Sequence, residues 1–133
     1  MWHFRSPQIV FGEDALTYLA QLQGRQAFLV TDATVADLGL TRLVETQLAA
    51  AGLPVAVFAA VEPEPALATV RRGAEAMRAI APDVVIGLGG GSVLDAAKAM
   101  RILYERPDLS PDAINPFEPL GLSPAIRLIL IPT

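Results

Sequence analysis

The chain has 133 residues, of which 53% are hydrophobic and 18% are charged, and its formal net charge is −4. This length fits a single domain with a substantial hydrophobic core, and the acidic balance offers no basic surface to attract a nucleic acid. Cysteine is absent from the sequence, which excludes disulfides, thiolate nucleophiles and cysteine metal sites.

The N-terminal residues carry no export signal in their pattern. Residues 1–5 lack a basic stretch followed by an apolar core, and no apolar run approaches the roughly 20 residues that cross a bilayer. We therefore expect a cytoplasmic protein that binds neither a membrane nor a nucleic acid. The single histidine, His3, lies near a terminus, so we expect it to be solvated, and a histidine-rich metal site is excluded.

The first half of the chain alternates strand and helix patterns. A short apolar run over residues 8–11 predicts a strand, and apolar residues at helical spacing predict a helix over residues 13–24. Residues 26–32 predict a buried strand that ends in polar residues, and a helix that ends at Gly52 follows it. The expected buried face of that helix consists of Leu40, Leu43, Val44, Leu48 and Ala51.

A third strand and helix follow in the same order. Residues 54–59 predict the strand, and a rigid, proline-containing connection over residues 61–65 lies at its C-terminal end. The next helix has arginines on one face, which we expect to be solvated rather than to clamp a phosphate. Its apolar stripe consists of Leu67, Val70, Ala74, Met77 and Ile80.

The fourth unit combines a strand, a glycine turn and a helix. Residues 84–86 predict a buried strand, and the glycines at 89–91 remove all side chains from the turn, so that the backbone can take positive φ and a ligand can approach it. Ser92 is expected to cap the helix, with Asp95 completing a pair that resembles a capping box. The unpaired amides and the helix dipole then favour a phosphate at the turn, although a strand-to-helix turn can also need glycine for its geometry alone.

The last part of the chain contains a loop and a final strand. Prolines over residues 106–124 predict an extended surface loop, and the apolar run at 125–133 predicts a buried strand. Because the chain stops at this buried strand rather than in a polar surface segment, we expect residues 1–133 to be a truncated domain. The alternation predicts an α/β fold, namely a Rossmann-like parallel sheet with helices on both faces and right-handed crossovers.

In a sheet of this kind a ligand binds beyond the C-terminal ends of the strands, where the strand order reverses. A dinucleotide needs amides for its pyrophosphate and a carboxylate for a ribose diol. Asp32, at a strand end, can accept both hydroxyls and would repel a 2′-phosphate, so NAD is expected over NADP; alternatively, Asp32 caps the next turn with Thr34. We call the side of the sheet at the C-terminal ends of the strands the rim. The residues expected to share this rim are Asp32, Pro63, Gly89, Gly90, Gly91, Ser92 and Thr133.

The sequence resembles the iron-containing, or group III, alcohol dehydrogenase family, in the N-terminal cofactor domain of that family. The resemblance covers essentially the whole chain, and it accounts for Asp32 preceding the glycines, whereas in an ordinary Rossmann domain the acidic residue follows them. The residues that carry it are Val30, Thr31, Asp32, Pro63, Pro65, Gly89, Gly90, Gly91, Ser92, Asp95, Lys98, Ile131, Pro132 and Thr133.

The resemblance implies a dinucleotide-binding domain followed by an all-helical domain. Lys98 can also form a simple surface ion pair with Asp95, since the two are three residues apart on a helix. Carried over by position, the resemblance assigns the pyrophosphate to Gly90, Gly91 and Ser92, the adenosine ribose to Asp32, the adenosine side to Pro63, the nicotinamide end to Asp95 and Lys98, and the far side of the cleft to Thr133.

The implied activity is hydride transfer between a small alcohol or aldehyde and NAD, in an enzyme that is at least a dimer. In the family, iron or zinc is held by an aspartate and histidines of the helical domain, so we expect this chain alone to lack catalysis. Alternatives in the superfamily are a glycerol or polyol dehydrogenase, a maleylacetate reductase and a dehydroquinate-synthase-like enzyme. An alternative of another class is a non-catalytic nucleotide-binding or assembly module.

Overall fold

In a computed structural model, which describes residues 6–110 and 120–133, four parallel strands form a sheet between two helical layers. The expected α/β class is thereby confirmed; His3 and residues 111–119 of the expected loop lie outside the described residues. The strands are β1 (Ala27–Val30), β2 (Val55–Phe58), β3 (Val84–Gly89) and β4 (Arg127–Pro132). The helices are a 3₁₀ helix (Ala15–Gln21), α1 (Ala33–Asp37), α2 (Leu40–Ala50), α3 (Leu67–Ile80) and α4 (Gly91–Glu105).

The strand order is β2-β1-β3-β4, and all three strand pairs are parallel. The chain first moves from β1 to β2, then crosses back over β1 to add β3 and β4. Because right-handed connections in opposite directions leave to opposite faces, α2 covers one face, whereas α3 and α4 cover the other. The strand order therefore reverses between β1 and β3.

The strand β1 lies at the centre of both cores. Its four residues are buried, and alternate side chains point to opposite faces. Phe28 belongs to the cluster that contains Met77 and Met100, whereas Leu29 belongs to the cluster that contains Val44 and Leu48. The buried strand that the sequence predicts at this position is confirmed. None of the helices in the described part of the chain is long and apolar enough to cross a bilayer.

Asp83 joins the starts of β1 and β3, at the N-terminal ends of the strands and therefore opposite the rim. Its Oδ2 accepts a hydrogen bond from the Arg25 amide at 2.9 Å, and its Oδ1 accepts one from the Gln26 amide at 3.0 Å. Burial raises the pKa of Asp83, but the hydrogen bonds from the Gln26 and Arg25 amides outweigh it and hold the pKa below its ordinary value. The ionised carboxylate therefore stabilises the folded chain.

The N-terminal segment differs from the prediction. Residues 8–11 form no strand, and Phe11 and Ile9 are 89% and 72% exposed. A strand needs a neighbour that accepts and donates its ladder hydrogen bonds, and among the described residues the only strand pairs are those of β1 to β4. The helix expected over residues 13–24 is present as the shorter 3₁₀ helix.

Two burial predictions were also wrong. The strand β4 was expected to be buried, but it lies at the edge of the sheet, and its four central residues are only half-buried. Leu43 was expected on the buried face of α2 but is 53% exposed, because Val44 and Leu48 make the contact with the sheet.

Arg101 of α4 holds the residue that precedes β4. Its guanidinium donates a hydrogen bond to the Ile126 carbonyl at 2.9 Å.

Candidate functional site

The C-terminal ends of β1 and β3 lie side by side at the point where the strand order reverses. In the β1–β3 ladder Val30 is opposite Gly87. One residue further on, the buried Thr31 hydroxyl donates a hydrogen bond to the Leu88 carbonyl at 2.7 Å. Asp32 and the glycine turn therefore follow two adjacent, directly connected strand ends.

The other expected rim segments are attached to the same two strand ends. The Thr133 amide donates to the Gly89 carbonyl at 3.1 Å, and the Val61 amide donates to the Thr31 carbonyl at 3.3 Å. Pro63 follows Val61 by two residues and is exposed. The structure thus brings the end of β4 and the connection after β2 to one rim with β1 and β3, as the sequence predicts.

The three glycines of the turn differ in backbone conformation. Gly89, the last residue of β3, has φ +154°, and a Cβ there would lie 2.8 Å from Val93 Cγ2. Gly90 has φ −78°, and Gly91 is the first residue of α4. A Cβ on either of these two would meet no atom within 4 Å. Positive φ is therefore needed at Gly89 alone, and the turn is open to a ligand at Gly90 and Gly91.

The predicted cap at Ser92 was wrong. The N-cap of α4 is Gly90, which makes no side-chain cap hydrogen bond, and Ser92 is the second residue of the helix. The helix begins earlier than predicted because the extended Gly90 already accepts the Leu94 amide on its carbonyl, at 3.0 Å. No side chain caps this end of α4, so its first-turn amides are available to an anion or to solvent.

Asp32 has a structural role that the sequence left as an alternative. It is the N-cap of α1, and its Oδ1 accepts a hydrogen bond from the Val35 amide at 2.7 Å. The cap is therefore present, with Val35 as the partner rather than Thr34. A carboxylate has two oxygens and about four acceptor positions, so one capping bond leaves it able to accept two hydroxyls.

Asp95 and Lys98 lie on the exposed outer face of α4. Lys98 Nζ is 3.4 Å from Asp95 Oδ1, and the two side chains are 50% and 77% exposed. This is the surface i,i+3 pair that the sequence offered as an alternative. Relative to Gly91, Asp95 and Lys98 lie roughly 6 Å and 10 Å further along the helix axis, so the structure does not bring them to the turn itself.

Glu62, which the sequence did not single out, shapes the rim. Glu62 Oε1 accepts the Thr69 hydroxyl and the Ala66 amide, each at 2.7 Å. The Thr69 hydroxyl, followed by the Ala66 amide, holds the pKa of Glu62 below its ordinary value. Glu62 thereby fixes the connection that carries Pro63, and no spacing rule in the sequence pairs it with Thr69.

Residues 6–110 and 120–133 contain no group of three histidine, aspartate or glutamate side chains that could hold a metal ion. The described residues therefore do not fit a metal centre. A groove of about 320 Å³, lined in part by Arg71, Arg78 and Leu103, lies near the C-terminal end of α4, away from the rim. The rim remains the candidate site.

Comparison with known proteins agrees with the resemblance. The sequence profile of the family described as iron-containing alcohol dehydrogenase matches residues 6–133. The NADPH-dependent butanol dehydrogenase of Clostridium saccharobutylicum is 39% identical over 136 residues, which cover 100% of this chain and 35% of that protein. The bifunctional aldehyde-alcohol dehydrogenase of Escherichia coli K12 is 38% identical over 112 residues, or 81% of this chain and 13% of that protein.

A solved structure shows the same fold. The iron-containing alcohol dehydrogenase of Thermococcus thioreducens superposes with a TM-score of 0.83 at 26% identity, covering 94% of this chain and 35% of that one. This chain thus spans about a third of the length of the butanol dehydrogenase and of this structure.

Proposed function

The chain belongs to the iron-containing alcohol dehydrogenase family and corresponds to its N-terminal portion; from this premise we propose that it binds the NAD cofactor of an alcohol dehydrogenase. The observation that carries the proposal is the placement of Asp32 and of an open, uncapped glycine turn at the ends of β1 and β3. The connections after these two strands leave to opposite faces, and such a reversal point is where α/β sheets bind dinucleotides.

The glycine turn supplies the pyrophosphate side of the proposed site. The amides of Gly90, Gly91 and Ser92 lie at the N-terminus of α4, a helix of 15 residues whose dipole favours negative charge there. The empty space around a Cβ at Gly90 or Gly91 is what a phosphate oxygen needs to reach the main chain. Gly89 contributes the backbone conformation that turns the chain from β3 into this helix.

Asp32 supplies the ribose side and the proposed preference for NAD. Its capping bond to Val35 fixes the carboxylate, and an ionised carboxylate accepts the 2′- and 3′-hydroxyls while repelling a 2′-phosphate. A preference for NADP is the alternative, and it is favoured by the 39% identical butanol dehydrogenase, which is NADPH-dependent. If Asp32 serves only as a helix cap, the carboxylate makes no contribution to this choice.

The remaining assignments place the two ends of the cofactor. Pro63 lines the adenosine side, Thr133 lines the far side of the cleft, and Asp95 with Lys98 lies toward the nicotinamide end. Thr133 is supported by its hydrogen bond to Gly89, which puts it beside the turn. The exposed Asp95 and Lys98 side chains are free to exchange their mutual ion pair for other partners at small cost.

The bound nicotinamide supplies hydride exchange with the carbon of a small alcohol or aldehyde. The residues of this chain bind and orient the cofactor, and we propose that the metal and substrate are held outside the described residues, so that this chain alone is inactive. The intact enzyme is proposed to be at least a dimer. A polyol dehydrogenase, a maleylacetate reductase and a dehydroquinate-synthase-like enzyme remain alternatives for the reaction.

Titration of the protein with NADH and NADPH, followed by nicotinamide fluorescence and by calorimetry, tests the proposal. We expect saturable binding of both, with NADH bound more tightly. Absence of saturable binding of either would refute a cofactor role for the turn. Tighter binding of NADPH would leave that role in place and refute the preference assigned to Asp32.

A further inference from the structure

Thr31 connects three segments of the rim through three hydrogen bonds. Its amide donates to the Phe58 carbonyl at the end of β2, at 2.8 Å, and its carbonyl accepts the Val61 amide at 3.3 Å. Its hydroxyl donates to the Leu88 carbonyl at 2.7 Å. The residue is completely buried, with 0% exposure, so no ligand can touch it.

The hydroxyl of Thr31 extends the pairing of β1 and β3 beyond the end of the backbone ladder. The last paired residues are Val30 and Gly87, and the side chain joins the next two positions, Thr31 and Leu88. Valine has nearly the same shape and suits a buried strand without the cost of burying a hydroxyl. The distinct contribution of threonine is therefore the bond to Leu88.

This bond lies immediately before both halves of the candidate site. Asp32 follows Thr31 directly, and Gly89 follows Leu88 directly. We propose that Thr31 is a positioning residue, which fixes the separation between the Asp32 carboxylate and the glycine turn so that one ligand can contact both. The proposal rests on the proposed function, since it requires that the two groups bind one dinucleotide.

Two ligands separate this positioning role from a general role in stability. Adenosine presents the ribose diol to Asp32 alone, whereas ADP presents the diol and a pyrophosphate joined at a fixed distance. The ratio of their dissociation constants, adenosine over ADP, measures how well the two groups act together. A variant that merely lowers the folded fraction weakens both ligands by the same factor and leaves this ratio unchanged.

The experiment measures the ratio by calorimetry for the wild type, Thr31→Val and Thr31→Ser. Thr31→Val keeps the shape and removes the donor, so we expect the ratio to fall about tenfold through lost preorganisation. Thr31→Ser keeps the donor and should stay within about twofold of the wild type. If Thr31→Val does not fold, Thr31→Cys, with its weak thiol donor, takes its place, and an intermediate fall is expected.

An unchanged ratio in Thr31→Val, or in the substitute Thr31→Cys, would overturn the positioning role. An equal fall in Thr31→Ser would also overturn it, since the methyl group rather than the hydroxyl would then be responsible. Both results require that the wild type binds adenosine and ADP, the two ligands of the ratio. If the wild type binds neither ADP nor NADH, the proposed function fails before the role of Thr31 is reached.

Discussion

Gly73 of α3 lies directly against Met100 of α4. A Cβ on Gly73 would be 2.2 Å from Met100 Sδ, 2.6 Å from Cε and 2.8 Å from Cγ. Met100 is fully buried, so its side chain cannot move aside into solvent. The two helices therefore cover this face of the sheet at a distance that only glycine permits at position 73.

Replacing Gly73 with alanine should destabilise the protein. The new methyl group favours the helix by about 1 kcal/mol, but it forces all of the Met100 side chain to move in a packed core. We expect the free energy of unfolding in urea to fall by about 1–2 kcal/mol. In a Met100→Ala background the same change should be neutral or stabilising; equal destabilisation in both backgrounds would contradict this relationship.

We expect the three glycines of the turn to have different roles: one is needed for the backbone conformation, and two leave space for the ligand. Gly89→Ala places a Cβ 2.8 Å from Val93 at positive φ, so it should lower the free energy of unfolding by about 2 kcal/mol or more. Gly90→Ala and Gly91→Ala meet no protein atom within 4 Å and should stay within about 0.5 kcal/mol of the wild type.

The same two variants should nevertheless weaken cofactor binding. A methyl group at position 90 or 91 occupies the space proposed for the pyrophosphate, so we expect the dissociation constant for NADH to rise about tenfold or more. Fluorescence titration and urea unfolding of the same samples provide the comparison. Unchanged NADH affinity in both variants would show that the pyrophosphate does not bind at this turn.

Substitution of Asp32 should change the choice between NADH and NADPH. Asp32→Asn keeps an oxygen that can cap Val35 but removes the charge, whereas Asp32→Gly removes both. Because like charges a few ångströms apart cost on the order of 1–4 kcal/mol, the ratio of the NADPH to the NADH dissociation constant should fall about tenfold or more in both. A fall in Asp32→Gly alone would assign the effect to the helix cap, and no change in either would refute the charge argument.

Asp83 should contribute stability in a pH-dependent manner. Its pKa is lowered in the folded chain, so its contribution is complete above the unfolded value of about 3.9 and is lost as the pH falls through the folded pKa. We expect Asp83→Asn to lower the free energy of unfolding by about 1–3 kcal/mol near neutral pH, and by progressively less in acid. Urea unfolding across this range provides the measurement.

Asp37→Asn is the matched control for Asp83, because Asp37 is an exposed carboxylate at the end of α1. Its effect should remain below about 0.5 kcal/mol throughout. A loss in Asp83→Asn that is the same in acid as at neutral pH would show that the carboxylate charge is not responsible.

The sequence predicts β1 to β4 from their apolar runs and helices α2 to α4 from their apolar periodicity, because both patterns reflect packing within or against the sheet. The same reasoning fails at residues 8–11, where the strand pattern is present but no described strand pairs with them. It fails in part for Leu43, because periodicity identifies a face of a helix but not how much of that face the neighbouring sheet covers.

In the candidate site, the sequence identifies the residues that follow strand ends, because parallel strands place those ends on one rim. It misplaces the start of α4, since serine is a better cap than glycine by propensity, whereas the backbone of Gly90 already closes the first turn. It names Thr31 as part of the resemblance but assigns it no role, because the partner of its hydroxyl, Leu88, is far away in sequence.

The strand order has a consequence for how the chain folds. The pair β1–β2 joins neighbouring strands in the sequence, whereas β3 can join β1 only after the chain has passed through β2 and α3. Pairings between distant segments form more slowly, so we expect the rim to be assembled at a late step. A dinucleotide that needs Asp32 and the glycine turn together would bind only the completed sheet. It would therefore stabilise the finished fold without stabilising partly folded forms, and binding activity would report on the completion of folding.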